Sequence, residues 1–248
     1  MFFPGHIAIA FFIVYTMAIK SYDIRKTVSI ALVMFLSIIP DIDIIFRSAG
    51  LEVGHRTITH SAIVWTTIGG AAILLLTIFF LKENRQVKVV TAGAAACLVA
   101  YLSHIVIGDV IIGPINILYP FGNFVLNGNI KNGSLAHILI EIILLSTMAA
   151  VVVTAYYFSH NKKGKNFNLF FDYHRRLDRL FYPLIIFAMI ISLVYLLQGA
   201  NTDDLSWHSI NVIPLLVLLH LSAVFIIALI WLMSTRAKNS NSSNITVS

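Results

Sequence analysis

The chain has 248 residues, of which 58% are hydrophobic and only 11% are charged. This composition, with a mean hydropathy of +0.88, excludes an ordinary soluble domain and indicates a helical membrane protein. The single cysteine, Cys97, excludes a disulfide within the chain and any metal site built on several thiolates. The net charge of +6 would suit nucleic acid or an anionic membrane surface, and the positions of the charges decide between them.

Apolar stretches that could cross a bilayer recur along the whole chain. A hydrocarbon core of about 30 Å takes roughly 20 helical residues to cross. We therefore predict an all-α, polytopic integral membrane bundle of about seven transmembrane helices. The first stretch lacks a basic leading region and a small-residue cleavage site, so we predict a helix there and not a signal peptide. The helices are expected at residues 5–19, 27–46, 59–81, 87–112, 134–158, 181–198 and 212–233.

Basic residues are concentrated in alternate loops of the predicted bundle. Short cytoplasmic loops are enriched in Lys and Arg, so the pattern predicts a multi-pass protein of the cell membrane with an outside N-terminus and a cytoplasmic C-terminus. The positive charge is therefore interpreted as a topology signal, and no nucleic-acid partner is expected. The basic residues of the predicted inner loops and tail are Lys20, Arg25, Lys26, Lys82, Arg85, Lys88, Lys162, Lys163, Lys165, Arg175, Arg176, Arg179, Arg236 and Lys238.

Three regions are expected along the chain. Residues 1–158 form a five-helix membrane core that carries the candidate metal site, and residues 159–238 add a basic interfacial segment and two further transmembrane helices. The interfacial segment is predicted because aromatic side chains alternate with basic ones in this part of the chain. Residues 239–248 are rich in Asn and Ser and are predicted to be a disordered tail.

Ionisable residues inside or beside membrane helices are costly, so each one is a candidate for function. Here they fall at the ends of five predicted helices, and on the predicted topology all of these ends lie on the outer side. This shared placement predicts one common site just beneath the lipid headgroups. The candidate residues are His6, Asp41, Asp43, His55, Arg56, His60, His104, Asp109, His137 and Glu141.

The candidate residues have the chemistry of metal ligands. Imidazoles and carboxylates without a thiolate suit Zn²⁺, or an ion such as Mn²⁺, Fe²⁺ or Co²⁺. His137 and Glu141 are four residues apart, which places them on one helical face about 6 Å apart at Cβ, close enough to chelate one ion. Pro40 is expected to break the second helix locally, so that Asp41 turns toward the site while Asp43 orients a histidine.

Each candidate also has a purely structural interpretation. His6 could lie at the membrane interface, and Asp41 could pair with a nearby arginine. His60 could bond to the backbone at the start of a helix. His137 and Glu141 could form an ordinary polar contact between helices.

The order of these residues resembles the YdjM family of membrane-bound metal-dependent hydrolases. More distantly, it is similar to zinc-dependent phospholipase C and to zinc-dependent nucleases, which are helical enzymes with several zinc ions. The resemblance covers roughly residues 1–145 and rests on His6, Pro40-Asp41-Ile42-Asp43, His55-Arg56-x-x-Thr59-His60-Ser61, Ser103-His104 with Asp109, and Tyr119-Pro120-Phe121.

The resemblance implies a divalent-metal cofactor, Zn²⁺, with two or three ions. It implies that the ion is bound directly by five residues and that His137 and Glu141 hold a second or third ion. The five implied direct ligands are His6, Asp41, His60, His104 and Asp109.

One spacing departs from the wider pattern. That pattern has a His and an Asp four residues apart, whereas His104 and Asp109 are five apart, which on an ideal helix rotates one by about 140° from the other. Either a π-bulge returns Asp109 to the site or Asp109 is not a direct ligand. Gly108 favours such a distortion.

The function implied is hydrolysis, by metal-activated water, of a phospholipid or another phosphoester that enters from the lipid bilayer. In that reaction His55 would be a ligand or a general acid, and Arg56 would hold the substrate. The alternative is a metal-ion or small-solute transporter that uses the same ligands as a transit site. A retinal protein is excluded because the seventh helix has no lysine, and the His-Glu-x-x-His motif of zinc proteases is absent. The sequence leaves the oligomeric state open.

Overall fold

The structure is a computed structural model that describes residues 1–50, 58–82, 87–122, 124–126, 128, 130, 134–160, 175–199 and 212–242. Its α-helices, in chain order, are α1 Phe3–Lys20, α2 Tyr22–Thr27, α3 Ile30–Leu36, α4 Ile42–Ser48, α5 Ala62–Lys82, α6 Val87–Ser103, α7 Val110–Ile112, α8 Leu135–His160, α9 Arg175–Gly199 and α10 Val212–Ser242. Two short 3₁₀ turns, a π-helix and a small antiparallel ribbon complete the description: Ile39–Asp41, Ile58–His60, His104–Asp109, and β1 Ile115–Asn116 paired with β2 Val125–Leu126.

Within the described residues, six helices are long and apolar enough to cross a membrane. The helix α5 shows why a bilayer is needed, because none of its residues is buried inside the protein although almost all of them are apolar. Such a helix is stable when lipid surrounds it. The predicted all-α membrane bundle is therefore confirmed. The six candidate spans are Phe3–Lys20, Ala62–Lys82, Val87–Ile112, Leu135–Ala155, Leu177–Leu197 and Ile213–Leu232.

The second predicted helix, residues 27–46, is not continuous. The helix α3 ends at Leu36, a 3₁₀ turn follows, and α4 begins at Ile42. Pro40 lies inside that turn and has no N–H for a helical ladder, which explains the interruption and agrees with the local break expected there. With seven residues, α3 is too short to cross a core of about 30 Å alone.

A buried polar contact fixes α3 against α9. The Ser29 hydroxyl accepts the N–H of Leu32 at 3.3 Å and so caps the start of α3. The same hydroxyl donates to Asp178 Oδ1 at 2.5 Å. Both side chains are buried, so each depends on the other for its hydrogen bond. The contact holds α3 in the position from which the following 3₁₀ turn leaves.

The main apolar core lies where α1 and α3 pack against α6 and the three long helices that follow. Its largest fully buried side chains include Ile7, Phe11, Met34, Met148, Tyr182 and Ile185. Because these side chains fill the space next to the first turns of α1, the polar residues at the start of α1 lie against the apolar core.

The last helix runs further than the sequence indicated. The helix α10 ends at Ser242, inside the stretch 239–248 that was predicted to be a disordered tail. Residues 243–248 lie outside the described part of the chain, as do residues 161–174 of the predicted interfacial segment.

Gly93 allows α6 to approach α2, and its substitution tests this packing. A Cβ at Gly93 would lie 2.8 Å from Cβ and Oγ1 of Thr27, whereas a Cβ at Gly70 in α5 meets nothing within 4 Å. We expect Gly93→Ala to lower the free energy of unfolding by about 1–3 kcal/mol, because the neighbour must move. Denaturation of the purified protein in detergent measures this change.

Gly70→Ala is the matched control for this test. It adds the same methyl group to a helix without a neighbour in contact, and it is expected to be neutral or to stabilise by up to about 1 kcal/mol. Equal behaviour of the two alanine variants would contradict the close packing of α6 on α2.

Candidate metal centre

Five buried histidine and aspartate side chains converge at one end of the bundle. They are presented by the first turns of α1, by the two 3₁₀ turns and by the two ends of the π-helix. None of them is more than 4% exposed. We call them the His/Asp cluster: His6, Asp41, His60, His104 and Asp109.

The donor atoms of the His/Asp cluster form two overlapping groups that could hold a metal ion. One group is His6, Asp41 and His104, and the other is His60, His104 and Asp109. Within each group the donor atoms lie within 4.8 Å of one another. Because His104 belongs to both groups, they are two parts of one candidate metal centre.

Four donor atoms approach most closely around His60 and His104. Nε2 of His60 is 3.0 Å from Asp41 Oδ1 and 3.2 Å from Asp109 Oδ2. Nε2 of His104 is 3.5 Å and 3.3 Å from the same two oxygens, and the two Nε2 atoms are 3.3 Å apart. Zinc bonds of about 2.0–2.1 Å separate tetrahedral donors by about 3.3 Å. The separations of the two imidazole nitrogens from each other and from the two carboxylate oxygens therefore fit donors around one ion of this size.

Hydrogen bonds at their other ring nitrogen orient these two histidines. Nδ1 of His104 lies 2.6 Å from the Ser37 carbonyl oxygen, which can only accept, so Nδ1 carries a proton and Nε2 is the nitrogen that a neutral ring would offer to an ion. Nδ1 of His60 contacts the Thr59 hydroxyl at 3.0 Å. A histidine held in this way at one nitrogen is typical of a metal ligand that uses the other.

The charges of the cluster favour a divalent cation. Asp41 and Asp109 bring two carboxylates into a buried region beside imidazoles, which carry a balancing charge only when they are protonated. A carboxylate that is removed from water costs several kcal/mol unless an opposite charge compensates it. One divalent cation would balance both carboxylates. Oδ1 of Asp109 also accepts from the N-terminal ammonium of Met1 at 3.4 Å, an ion pair that offsets part of this cost.

His6 adds a third imidazole to the cluster. Its ring stacks on that of His104 with centroids 3.6 Å apart, and its Nε2 lies 3.1 Å from the Met1 carbonyl oxygen. Nδ1 of His6 is buried and has no hydrogen-bond partner within the described part of the chain. Such an atom costs free energy unless an ion or another partner satisfies it, which fits a place in a metal centre.

The π-helix accounts for the five-residue spacing between His104 and Asp109. Hydrogen bonding from residue i to i+5 brings residues five apart onto one face, so the expected π-bulge is present. Nε2 of His104 and Oδ2 of Asp109 are accordingly 3.3 Å apart. Gly108 is needed at this point because a Cβ there would collide with the ring of His6.

The 3₁₀ turn that carries His60 is held from two sides. The Tyr101 hydroxyl donates to the Thr59 carbonyl at 2.7 Å, and the Ser61 hydroxyl donates to the Tyr119 carbonyl. Sequence reasoning gave these partners no role. Their signal was that Thr59, Ser61 and Tyr119 all belong to the motifs that carry the family resemblance.

The other predicted site residues lie apart from the cluster or outside the described residues. Asp43 is buried in the first turn of α4 but belongs to neither of the two groups that could hold a metal ion in the described part of the chain. His55 and Arg56 fall in residues 51–57, which the structure does not describe. His137 Nε2 lies 3.1 Å from Glu141 Oε1, and this pair, which is also in neither group, contacts the start of α1.

Changing the length of the π-helix tests whether its extra residue aligns the two ligands. Val106 is 48% exposed, and its deletion places His104 and Asp109 four residues apart, the spacing at which an ordinary α-helix aligns them. We expect the deletion to retain bound metal. Insertion of one alanine after Val106 rotates Asp109 away by about 100° and should abolish the metal content. Elemental analysis of the purified variants checks both, and loss in the deletion with retention in the insertion would contradict the alignment.

Comparison with known proteins places the chain in a family. Residues 1–200 match the YdjM inner membrane protein family, a longer stretch than the one that carries the resemblance in the sequence. No curated protein and no solved structure matches the chain. The likeness to zinc-dependent phospholipase C and nucleases therefore remains a similarity in the order of residues. Since the match covers most of the chain, and the chain has several apolar helices and a buried His/Asp cluster, it belongs to the YdjM inner membrane protein family.

Proposed function

We propose that this protein is a membrane-embedded, metal-dependent hydrolase that cleaves a phospholipid or another phosphoester with metal-activated water. The observation that carries the proposal is the convergence of His60 and His104, whose Nε2 atoms lie 3.3 Å apart and each lie 3.0–3.5 Å from a carboxylate oxygen of Asp41 and from one of Asp109. This donor set without thiolates suits Zn²⁺. The resemblance to membrane-bound metal-dependent hydrolases supports the same class of reaction.

The residues of the chain prepare the site for this chemistry. A bound divalent cation supplies Lewis acidity and lowers the pKa of a bound water toward neutrality. Asp41 and Asp109 provide the compensating negative charge, while the Ser37 carbonyl keeps the His104 ring in one tautomer and one orientation. Because these groups are already in place, little reorganisation is needed during the reaction. Their burial excludes bulk water and strengthens the electrostatic interactions among them.

Two predicted residues complete the proposal. His55 would be a further ligand or the general acid that protonates the leaving group. Arg56 would hold the substrate phosphate, because its planar guanidinium can donate two parallel hydrogen bonds to phosphate oxygens. Both lie within five residues of His60 in the sequence, and their roles rest on the sequence.

An apolar groove beside the cluster supports a lipid substrate. The groove has a volume of about 200 Å³ and opens at one side of the bundle between α1, the chain around the first 3₁₀ turn, and α9. The lining contains no residue of the His/Asp cluster, but Ile39 and Ile42 of the lining lie within two residues of Asp41 in the chain, and Phe3 lies one turn before His6 on the same face of α1. A phosphoester at the cluster could place an attached acyl chain in this groove.

The alternative, transport through the same ligands, is less well supported. A transit site needs polar side chains that continue toward the other side of the membrane. Behind His6, the described side of α1 that faces the bundle is apolar. Its buried residues are Ile7, Ala8, Ile9, Ala10, Phe11, Val14 and Ala18. This arrangement favours a site that acts at one end of the bundle.

Substitutions in the cluster test hydrolysis directly. Asp41→Asn and His104→Ala each remove one donor. Loss of a group that only hydrogen-bonds to a metal ligand typically costs about 10- to 100-fold in activity. We expect phospholipid turnover to fall further than this in both variants, because each loses a ligand itself. The protein is reconstituted in vesicles of zwitterionic and anionic phospholipids, and the products are measured by mass spectrometry. Loading the same vesicles with a metal-sensitive dye distinguishes transport, which gives ion uptake without a cleaved product.

Asp178→Asn is the matched control, because it neutralises a buried carboxylate outside the cluster but keeps the Oδ1 that accepts from Ser29 and so keeps α3 in place. We expect this variant to insert and to keep its turnover. Full turnover in both Asp41→Asn and His104→Ala would rule out hydrolysis at this cluster.

A further inference from the structure

Glu141 of α8 binds the backbone at the start of α1. Its Oε1 accepts the Phe2 N–H at 2.5 Å and its Oε2 accepts the Gly5 N–H at 3.0 Å. The Glu141 side chain is fully buried. Both oxygens of this carboxylate are therefore used by the backbone of another helix.

This contact replaces the cap that α1 does not provide for itself. Phe2 is the N-cap residue and makes no side-chain cap hydrogen bond, and the first turn of α1, all of it described, contains no acidic residue. In a capping box, side chains within one helix bind the N–H groups of the N-cap residue and of the third helical residue. Phe2 and Gly5 occupy these two positions, so a single carboxylate from α8 satisfies both donors.

Gly5 and His137 complete the contact. A Cβ at Gly5 would lie 2.9 Å from Cδ and Oε1 of Glu141, so the carboxylate reaches the backbone because residue 5 is glycine. Nε2 of His137 lies 3.1 Å from Glu141 Oε1, and the His137 ring stacks on that of Phe2 with centroids 4.5 Å apart. We call Phe2, Gly5, His137 and Glu141 the α1 clamp.

We propose that Glu141, supported by His137, is a positioning residue that holds His6 in the His/Asp cluster and does not itself bind the ion. His6 follows Gly5 directly in the chain. A displacement of the first turn of α1 therefore moves the His6 ring. The proposal departs from the metal-binding role that the family resemblance implies for His137 and Glu141.

The space available to His6 makes its position sensitive to the clamp. The His6 ring stacks on the His104 ring with centroids 3.6 Å apart. On another side it contacts Gly108 so closely that a Cβ there would collide with it. A ring confined between these two neighbours has little freedom to compensate for a movement of its own backbone.

The proposal rests on the metal binding proposed for the cluster, so one experiment tests the clamp without metal. Glu141→Gln leaves one amide oxygen where two carboxylate oxygens accepted, and it removes a negative charge from a helix N-terminus. We expect amide hydrogen exchange at the first turn of α1 to become at least about fivefold faster. Gly5→Ala should have the same effect by displacing the carboxylate. Asp178→Asn should leave exchange in this turn unchanged. Unchanged exchange in both clamp variants would overturn the clamp.

A second experiment separates positioning from ligation. Zn²⁺ affinity is measured by competition with a chelator for Glu141→Gln, alone and combined with His6→Ala. If the clamp acts through His6, Glu141→Gln should weaken Zn²⁺ binding about 10- to 100-fold in the otherwise unchanged protein. In the His6→Ala background, Glu141→Gln should change Zn²⁺ binding less than about twofold.

The outcomes of the two experiments are distinct. Loss of one bound Zn²⁺, with an equal penalty in both backgrounds, would identify Glu141 as a ligand and overturn the proposal. The proposal is also overturned if affinity in Glu141→Gln equals that of the unchanged protein. If the unchanged protein binds no Zn²⁺, the proposed metal function fails, while the exchange measurement still decides whether Glu141 holds α1.

Discussion

Two carboxylates and three imidazoles buried at one end of a membrane bundle impose the constraint on which the rest of the structure depends. Each charge taken from water costs several kcal/mol unless it is compensated, and apolar packing cannot compensate it. The oxygens of Asp41 and Asp109 lie within 3.5 Å of two imidazole nitrogens, where a proton on an imidazole or a bound cation would compensate their charge. The elements that carry these groups must therefore meet at one point, so a displacement of any one of them leaves a buried polar group uncompensated.

The backbone departs from the α-helix at the places where this meeting requires it. One 3₁₀ turn presents Asp41, a second presents His60, and a π-helix presents both His104 and Asp109. A regular helix cannot align residues that are five apart, and a helix through Pro40 would leave a carbonyl without its donor. Such irregular turns inside a bundle are retained where side-chain contacts compensate for them. Here the compensation comes from contacts within the His/Asp cluster.

The sequence predicted the spanning helices because about 20 apolar residues mark each of them, and it predicted that the cluster residues lie at helix ends. It offered the π-bulge as one of two explanations for Asp109. The sequence did not show where α3 would end. Pro40 indicates that the helix is interrupted, but it does not indicate how many residues before it leave the helix. The partner of Glu141 could not be predicted either. A His-Glu pair four residues apart has the same spacing whether it binds an ion or whether, as in this structure, its glutamate accepts backbone N–H groups more than 130 residues away. Long-range packing of α8 on α1 decides between them.

The α1 clamp and the His/Asp cluster give the two ends of α1 different roles. The N-terminal end carries the polar contacts to Glu141 and to His104, whereas about 20 Å of largely apolar helix separates His6 from Lys20. An ion at the cluster therefore meets no second set of ligands along the described length of α1. The phosphoester substrate that we propose would need none, because its polar group would lie at the cluster and its acyl chain in the apolar groove. The apolar length of α1 thus favours the proposed catalysis over passage.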